Sequence, residues 1–271
     1  MSSSLRDNAL DALMQPFEGG LLRWPQAGDA LFLRAREGAA LHAAGTRGFA
    51  CTQPFKPEAD RLQRIGADML DEDALPDAKF PLVLVLPPRQ REEARALLAK
   101  ACKAVAAGGI VIASVANDEG AKSREADLKQ LAGSVTTISK HHCRVFWTRP
   151  DTAFDAALLA QWAKADAPRM QESADVPAGE FRTRPGVFAW DRIDAASKML
   201  AEALPADLRG RVADFGAGWG YLSLQVLARC KQATSLDLYE ADARALALAD
   251  ENLADAPIPV HCHWQDVVRG V

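Results

Sequence analysis

The sequence predicts an α/β protein built from two consecutive halves. Strand-like apolar runs alternate with helical patterns in residues 1–150, and the same alternation returns after residue 181. In the second half, the stretch 211–222 (RVADFGAGWGYL) leads from a strand through a glycine-rich turn into a helix. With 271 residues, of which 49% are apolar and 25% charged, the chain could form one large or two ordinary domains.

The first half shows the pattern of a parallel sheet. Its strands are predicted at 29–35, 48–54, 81–86 and 109–114. A helical pattern spans 90–107 and is expected to end at Gly108 and Gly109. The run 82–86 is apolar without alternation, which is typical of a strand covered on both faces. Two β-rich runs within 135–148 are expected to close the sheet edge.

The stretch between the halves is predicted to hold a helix at 153–165, followed by a polar, proline-containing linker. The predicted organisation is therefore a first domain at 1–150, a helix and linker at 151–180, and a second domain at 181–271. No stretch approaches the roughly twenty apolar residues that a membrane span needs. We therefore expect a soluble, cytoplasmic protein.

The three predicted strands of the second half each lead into an acid. They lie at 211–214, 233–239 and 260–264, and their acids are Asp214, Glu240 and Asp266. A helix is predicted from Trp219 onwards and another at 241–253. Glycine at positions 216, 218 and 220 allows a sharp turn where a side chain would collide with a ligand. The N–H groups at the start of the first helix are expected to point into this turn.

The composition of the turn favours a cationic ligand over a phosphate. Its third glycine comes one residue early for the dinucleotide pattern, and no basic residue lies in the turn. The sulfonium of S-adenosylmethionine would instead be attracted by Asp214. An ordinary turn of another α/β protein is the alternative. The candidate cofactor-binding residues are Asp214, Phe215, Gly216, Ala217, Gly218, Gly220, Glu240 and Asp266.

The segment DFGAGWG at 214–220 resembles the DxGxGxG turn of class I methyltransferases. That resemblance implies that the turn lies beneath the amino-acid part of S-adenosylmethionine, with Glu240 at the ribose and Asp266 by the adenine. The segment FRTRPGVFAWDRIDAAS at 181–197 is similar to the ribosomal RNA small subunit methyltransferase C family, the guanine-N2 enzymes. Residues 117–131 and 142–146 resemble the first half of the same family.

This resemblance implies two tandem Rossmann-like methyltransferase domains, of which the first is degenerate and the second incomplete at its C-terminus. The first has no glycine turn that could hold the cofactor. The implied activity is guanine-N2 methylation of small-subunit (16S) ribosomal RNA, and the implied partner is that RNA or the small ribosomal subunit. The alternatives are a large-subunit RNA or other amino-group methyltransferase, and a noncatalytic S-adenosylmethionine-binding or interaction module. The oligomeric state is not predicted.

In the family, the PGVF segment wraps over the bound ligand. This implies that Phe188 binds the cofactor and makes Asp191 and Asp194 candidates for further contacts. Asp191 could equally cap the helix that follows. The apolar stripe of that helix is predicted to comprise Ile193, Ala196, Met199, Leu200 and Leu204.

The family's acceptor loop, Asn-Pro-Pro-Phe, does not occur in the sequence. The nearest match is Leu86-Pro87-Pro88, which has Leu where an amide would accept a hydrogen bond from the substrate amine, so it should be chemically silent. No catalytic residue can be named. We therefore expect a piece of a longer enzyme that transfers no methyl group by itself, with the strand 211–214 left as a sheet edge.

Charge gives a weak indication of an RNA contact. The formal net charge is −4, but residues 1–150 carry 20 Lys and Arg against 18 acids, whereas the remainder carries 12 against 18. The basic residues of the helix at 90–107 are either a solvated face or a phosphate track.

Five cysteines without a CxxC pair fit a reducing compartment. His261 and His263 face away from Cys262 on a strand, so no metal site is expected.

Overall fold

The computed structural model describes residues 7–26, 30–43 and 49–270 and divides into two compact units. Unit 1 comprises Met1–Gln53 and Glu58–Asp166, and unit 2 comprises Pro54–Pro57 and Ala167–Val271. The first residues of the strands predicted at 29–35 and 48–54 lie outside the described ranges. No helix in the described part of the chain is long and apolar enough to cross a membrane.

Unit 1 alternates helices and strands as predicted. Its helices are α1 (Asn8–Glu18), α2 (Ala39–Ala43), α3 (Lys56–Arg64), α4 (Arg91–Ala104), α5 (Ala121–Ala132) and α6 (Ala156–Trp162), with a 3₁₀ turn at Asn117–Glu119. Its strands are β1 (Ala30–Leu33), β2 (Phe49–Thr52), β3 (Asp68–Met69), β4 (Phe80–Val85), β5 (Val105–Ala116), β6 (Thr136–Lys140) and β7 (Cys143–Trp147). Helix α3 begins within the four residues assigned to unit 2.

The strands of unit 1 form one sheet in the order β3-β2-β1-β4-β5-β7-β6. The first five are parallel, whereas β7 runs antiparallel to both β5 and β6. Apolar clusters fill both faces of the sheet. The predicted α/β fold is therefore confirmed, and the two β-rich runs close one sheet edge.

Helix α4 ends three residues earlier than predicted. The chain leaves the helical conformation at Val105, which has φ −70° and ψ 133°. Val105 opens strand β5 and pairs with Phe80 of β4. The pairing of β-branched Val105 in the sheet outweighs its place in the helical pattern, so the glycines at 108 and 109 lie within the strand rather than after the helix.

Unit 2 contains a hairpin and a three-stranded parallel sheet. Its strands are β8 (Arg169–Glu172), β9 (Glu180–Thr183), β10 (Arg209–Phe215), β11 (Gln232–Glu240) and β12 (Val260–Trp264). Its helices are α7 (Ala195–Ala203), α8 (Tyr221–Arg229) and α9 (Ala243–Asn252), with a 3₁₀ turn at Val267–Arg269. The hairpin pairs β8 with β9, and the sheet order is β10-β11-β12, so β10 lies at an edge.

The predicted linker at 151–180 does not form a separate segment. Helix α6 belongs to unit 1, where Trp162 is buried in the apolar core. Residues 169–172 already belong to unit 2, because β8 pairs with β9. Apolar packing of the helix and backbone pairing of the hairpin thus divide the chain between Asp166 and Ala167 instead of at 150 and 180.

Two apolar surfaces of unit 2 are exposed. Phe215 in β10 is 57% exposed, because the helices α8 and α9 contribute their apolar residues to the other face of the described sheet. Met199 and Leu200 belong to the apolar stripe predicted for α7, yet they are 71% and 53% exposed. Ala201 is the buried residue of that helix.

Candidate functional site

The glycine-rich turn joins β10 to α8 and is held against the end of β11. The N–H groups of Gly216 and Ala217 both donate to the carbonyl oxygen of Tyr239, over 2.8 and 3.2 Å. The N–H of Gly220 donates to the carbonyl oxygen of Ala217 over 2.9 Å. All three glycines have positive φ angles, of 75°, 56° and 95° in chain order, which residues with a side chain rarely adopt.

The three glycines serve different purposes. A Cβ atom built on Gly216 or Gly218 would meet no atom within 4 Å, so both positions face open space. A Cβ atom on Gly220 would lie 3.4 Å from Ala249 and Leu253 of unit 2. The first two glycines therefore leave room beside the backbone for a ligand, and the third lets the turn pack closely on α9.

This open space is part of a shallow cleft. The cleft is lined by Phe188, Ala189, Asp194, Ser197, Gly216, Ala217, Gly218, Trp219, Tyr221 and Leu222. The structure thus brings the predicted residue Phe188 to the glycine turn, although 28 residues separate it from Gly216 in the sequence. Neither Lys nor Arg is among these lining residues, so the cleft suits a ligand that carries positive charge better than a phosphate.

Glu240 is bonded directly to the glycine turn. Its Oε2 atom accepts a hydrogen bond of 2.8 Å from the N–H of Gly218, and its Oε1 atom accepts one of 2.8 Å from the N–H of Asp242. The carboxylate is therefore fixed between the turn and the start of α9, at the end of β11. The sequence predicted Glu240 and Gly218 for one site, and the structure brings them together.

Asp214 lies beside the turn with its carboxylate largely removed from solvent. Its Oδ2 atom accepts a hydrogen bond of 2.7 Å from the hydroxyl of Ser223 in α8. Burial raises the pKa of Asp214 above its ordinary value and Glu240 raises it further, while the hydrogen bonds from Ser223 lower it. A carboxylate under these conditions gains more than a solvated one from a cation placed next to it.

The two other predicted residues are less closely tied to the turn. Asp266 follows β12 at the same edge of the sheet, where the N–H of Gln265 donates to the carbonyl oxygen of Glu240 over 3.0 Å. The Asp266 Oδ1 atom accepts from the N–H of Val268 over 3.1 Å. The centroids of the Phe215 and Tyr239 rings lie 5.2 Å apart. Phe215 is not among the residues that line the cleft.

The cap of α7 is Asp194 rather than Asp191. The Oδ2 atom of Asp194 accepts from the N–H and from the hydroxyl of Ser197, over 2.9 and 3.1 Å. The hydrogen bond from the Ser197 backbone lowers the pKa of Asp194. Asp191 instead lies on the surface and pairs with Arg192. Asp194 therefore both caps the helix and lines the cleft, whereas Asp191 does neither.

The sequence did not predict the residues that bond to the backbone of the turn and stack on its Trp219 ring. The Asn252 Nδ2 atom donates to the carbonyl oxygens of Trp219 and Arg182, each over 2.9 Å, and its Oδ1 atom accepts from the N–H of Arg182 over 2.7 Å. The ring of Trp219 stacks on Phe181, with ring centroids 4.1 Å apart. A local pattern could have indicated only that Asn252 ends a helix.

In unit 1, Arg34 directly follows strand β1, whereas in unit 2 Asp214 is the last residue but one of β10. Arg34 has a φ angle of 55° and donates to both carboxylate oxygens of Glu72, over 2.6 and 3.0 Å. It also donates to Glu93 over 2.8 Å. These groups are nearly buried. Side chains of the protein itself thus pair with the carboxylates of Glu72 and Glu93 in this part of unit 1.

Comparisons with known proteins show that the chain is similar to methyltransferases. Residues 178–271 match the family model described as methyltransferase small domain. The structure superimposes on that of the T. thermophilus 16S rRNA N2 G1207 methyltransferase in complex with AdoMet and guanosine, with a TM-score of 0.76. That match has 18% sequence identity and covers 97% of this chain and 70% of the other. The fold is that of this methyltransferase, and the family model covers the part of the chain that contains the glycine turn.

The sequence relatives belong to one family of methyltransferases. The chain is 30% identical over 178 residues to ribosomal RNA small subunit methyltransferase C of Psychromonas ingrahamii, covering 65% of this chain and 50% of the relative. It is 27% identical over 201 residues to the Vibrio cholerae protein of that name, covering 72% and 56%. The chain spans about half the length of these relatives. It is related to the ribosomal RNA small subunit methyltransferase C family, and the predicted resemblance is confirmed.

Proposed function

We propose that unit 2 binds S-adenosylmethionine in the cleft at the glycine turn and belongs to a guanine-N2 methyltransferase of small-subunit ribosomal RNA. The open space at Gly216 and Gly218, next to the carboxylates of Asp214 and Glu240, is the observation that carries the donor site. The proposed ligand contacts are these four residues together with Phe215, Ala217, Gly220, Asp266 and Phe188. A cytoplasmic location is part of the proposal.

The charge and shape of the cleft support a sulfonium donor. Asp214 would attract the cationic end of the ligand, because its carboxylate is poorly solvated. The backbone at Gly216 and Gly218 would approach the amino-acid part without steric hindrance. Phe188 is 71% exposed at the rim of the cleft and could cover the ligand with its ring. When bound, S-adenosylmethionine would supply an electrophilic methyl group.

The RNA substrate rests on similarity. The relatives are named as ribosomal RNA small subunit methyltransferases, and the similar structure contains guanosine. A guanine within folded RNA would have to leave its stack before its amino group could reach a donor in the cleft. This chain is proposed to supply the donor site.

The donor proposal is tested by calorimetric titration of the whole chain with S-adenosylmethionine. We expect saturable binding to the wild type and a loss of roughly tenfold or more in affinity for Asp214→Ala and for Glu240→Ala. Asp255→Ala is the matched control, since it removes an exposed acid from the same unit. Absence of binding to the wild type would end the donor proposal.

The substrate is tested by incubating the chain with labelled donor and isolated ribosomal subunits. Label in guanine of the small subunit supports the proposed activity. Label in the large subunit or in free nucleoside contradicts the substrate, and identifies another amino-group methyltransferase. Donor binding without any transfer is the outcome expected if the chain supplies only the donor site and lacks the acceptor loop.

A further inference from the structure

A cluster of arginines in unit 1 is not explained by the donor site. Arg91 and Arg95 of α4 and Arg124 of α5 surround the single carboxylate of Asp127. The Oδ1 atom of Asp127 accepts from Arg95 over 2.9 and 3.1 Å and from Arg91 over 3.5 Å. Its Oδ2 atom has no hydrogen-bond partner among the described residues and lies 3.7 Å from Arg124 Nη1. Three guanidinium groups thus share one buried acid.

The loop that carries Arg89 is bonded to Arg124 of this cluster. The Arg124 guanidinium donates to the carbonyl oxygen of Arg89 over 2.6 Å and to that of Pro88 over 3.5 Å. Its side chain is only 4% exposed. Burial lowers the pKa of Arg124, and the neighbouring charges of Arg91 and Arg95 act in the same direction, while Asp127 raises it. An additional anion near the cluster would therefore relieve repulsion.

The outer members of the cluster can reach an external ligand. The side chains of Arg89 and Arg91 are 72% and 57% exposed, whereas Arg95 is 26% exposed and lies over the ring of Trp162 at 4.5 Å. Arg91 makes only the long contact of 3.5 Å to an acid that Arg95 already occupies. Little would be lost if Arg91 turned its guanidinium toward a ligand.

The acids around the cluster already have partners. Glu119 accepts from Arg89 over 3.0 Å at the surface, where such a pair is weak. Glu93 is bonded to Arg34, and Glu92 has a partner of its own. Four guanidinium groups, those of Arg89, Arg91, Arg95 and Arg124, thus lie against two carboxylates, those of Asp127 and Glu119. The exposed guanidinium groups provide forked donors that match two oxygens of a phosphate.

We propose that Arg89 and Arg91, supported by Arg124, bind phosphodiester groups of an RNA backbone. The choice of RNA as the polymer rests on the proposed function, whereas the anion site rests on the charges alone. The site contacts phosphates and would therefore position the RNA without reading its sequence. The sequence left two alternatives for the basic residues of α4, a solvated face or a phosphate track. The proposal assigns phosphate binding to the first turn of this helix, whereas Lys100 further along it is bonded to Asp73 over 2.6 Å.

Fluorescence anisotropy with a labelled RNA hairpin tests the site over a range of salt concentrations. The test variant is Arg89→Gln/Arg91→Gln. The control is Arg64→Gln/Lys140→Gln, which removes the same charge from exposed positions of unit 1 elsewhere. We expect the test variant to bind RNA roughly tenfold more weakly. The slope of log affinity against log salt should also become less steep, by about 0.7–0.9 for each phosphate contact removed. The control should change the affinity much less.

Equal losses in the two double variants, or no salt-dependent RNA binding by the wild type, would overturn the proposal. Competition by poly-glutamate as effective as that by unlabelled RNA would also overturn it, because the site would then accept an acidic polypeptide. Titration of the same test variant with S-adenosylmethionine separates this proposal from the donor site. Donor affinity should equal that of the wild type, whatever the RNA result.

Discussion

The side chain of Asn252 donates a hydrogen bond of 2.9 Å to the carbonyl oxygen of Trp219, in the middle of the glycine turn. The same amide is paired with both backbone groups of Arg182 in β9. One residue at the end of α9 thus ties the turn to the strand that leads toward Phe188. Of the residues bonded by this amide, Trp219 lines the cleft, whereas Arg182 is not among the lining residues.

Replacement of this amide should therefore affect both stability and ligand binding. Asn252→Ala leaves backbone groups of the turn and of β9 without partners, so we expect a loss of about 1–3 kcal/mol in the free energy of unfolding. We also expect weaker binding of S-adenosylmethionine at a temperature where the variant is fully folded. Glu251→Ala is the control, because it removes only the surface pair with Arg182. Unchanged donor affinity in folded Asn252→Ala would restrict Asn252 to a structural role.

The raised pKa of Asp214 predicts opposite effects on stability and binding. The folded protein holds this proton more tightly than the unfolded chain does, so Asp214 weakens the unliganded fold as the pH rises through its raised pKa. Asp214→Asn should therefore not lower the thermal midpoint at neutral pH, and should bind the donor at least roughly tenfold more weakly. Thermal unfolding and titration of the same preparation check both parts. A lower midpoint would show that the charged carboxylate stabilises the unliganded fold.

Donor binding by the wild type should also depend on pH in the acidic range. Protonation of Asp214 removes the charge that attracts the sulfonium, so affinity should fall as the pH is lowered. The fall should begin above pH 3.8, the ordinary value for this carboxyl group. Titrations between neutral pH and the onset of acid unfolding measure this. In Asp214→Asn the same pH dependence should be absent, and its persistence would assign the effect to another group.

In unit 1, the Arg34 network should be essential to the fold. Arg34→Met leaves Glu72 and Glu93 nearly buried without their main cationic partner, and we expect a loss of about 3–5 kcal/mol in the free energy of unfolding. Chemical denaturation measures this loss. The triple variant Arg34→Met/Glu72→Gln/Glu93→Gln carries no buried charge at these positions and should recover much of it. A triple variant no more stable than Arg34→Met would contradict the electrostatic explanation.

The local patterns of the sequence were sufficient for most strands and for the glycine turn. Strand β12 spans the predicted residues Val260–Trp264, because an isolated apolar run between turn signals has few alternatives. The contact between Gly218 and Glu240 follows from the same logic, since parallel neighbouring strands end at the same sheet edge. These features depend on residues close in the chain or on adjacent strands.

The features that were not predicted depend on distant partners. Asn252 is 33 and 70 residues away from the groups it bonds, and Arg34 is 38 and 59 residues away from its acids. The exposure of Met199 and Leu200 is also tertiary, because a helical pattern shows an apolar face but not whether anything packs against it. Capping by Asp194 instead of Asp191 reflects a shift of three residues at a helix start, where patterns are least precise.

The central claim, that the glycine turn holds a methyl donor, is tested most directly by titrating S-adenosylmethionine into three proteins: the wild type, Gly218→Ala and Gly179→Ala. Both glycines have positive φ angles and open space at the Cβ position, but Gly179 lies between β8 and β9, and is not among the residues that line the cleft. The backbone strain of the two variants is thus similar. We predict saturable binding to the wild type and to Gly179→Ala, and a loss of binding in Gly218→Ala. Equal affinities of the two variants, or no binding by the wild type, would contradict the claim.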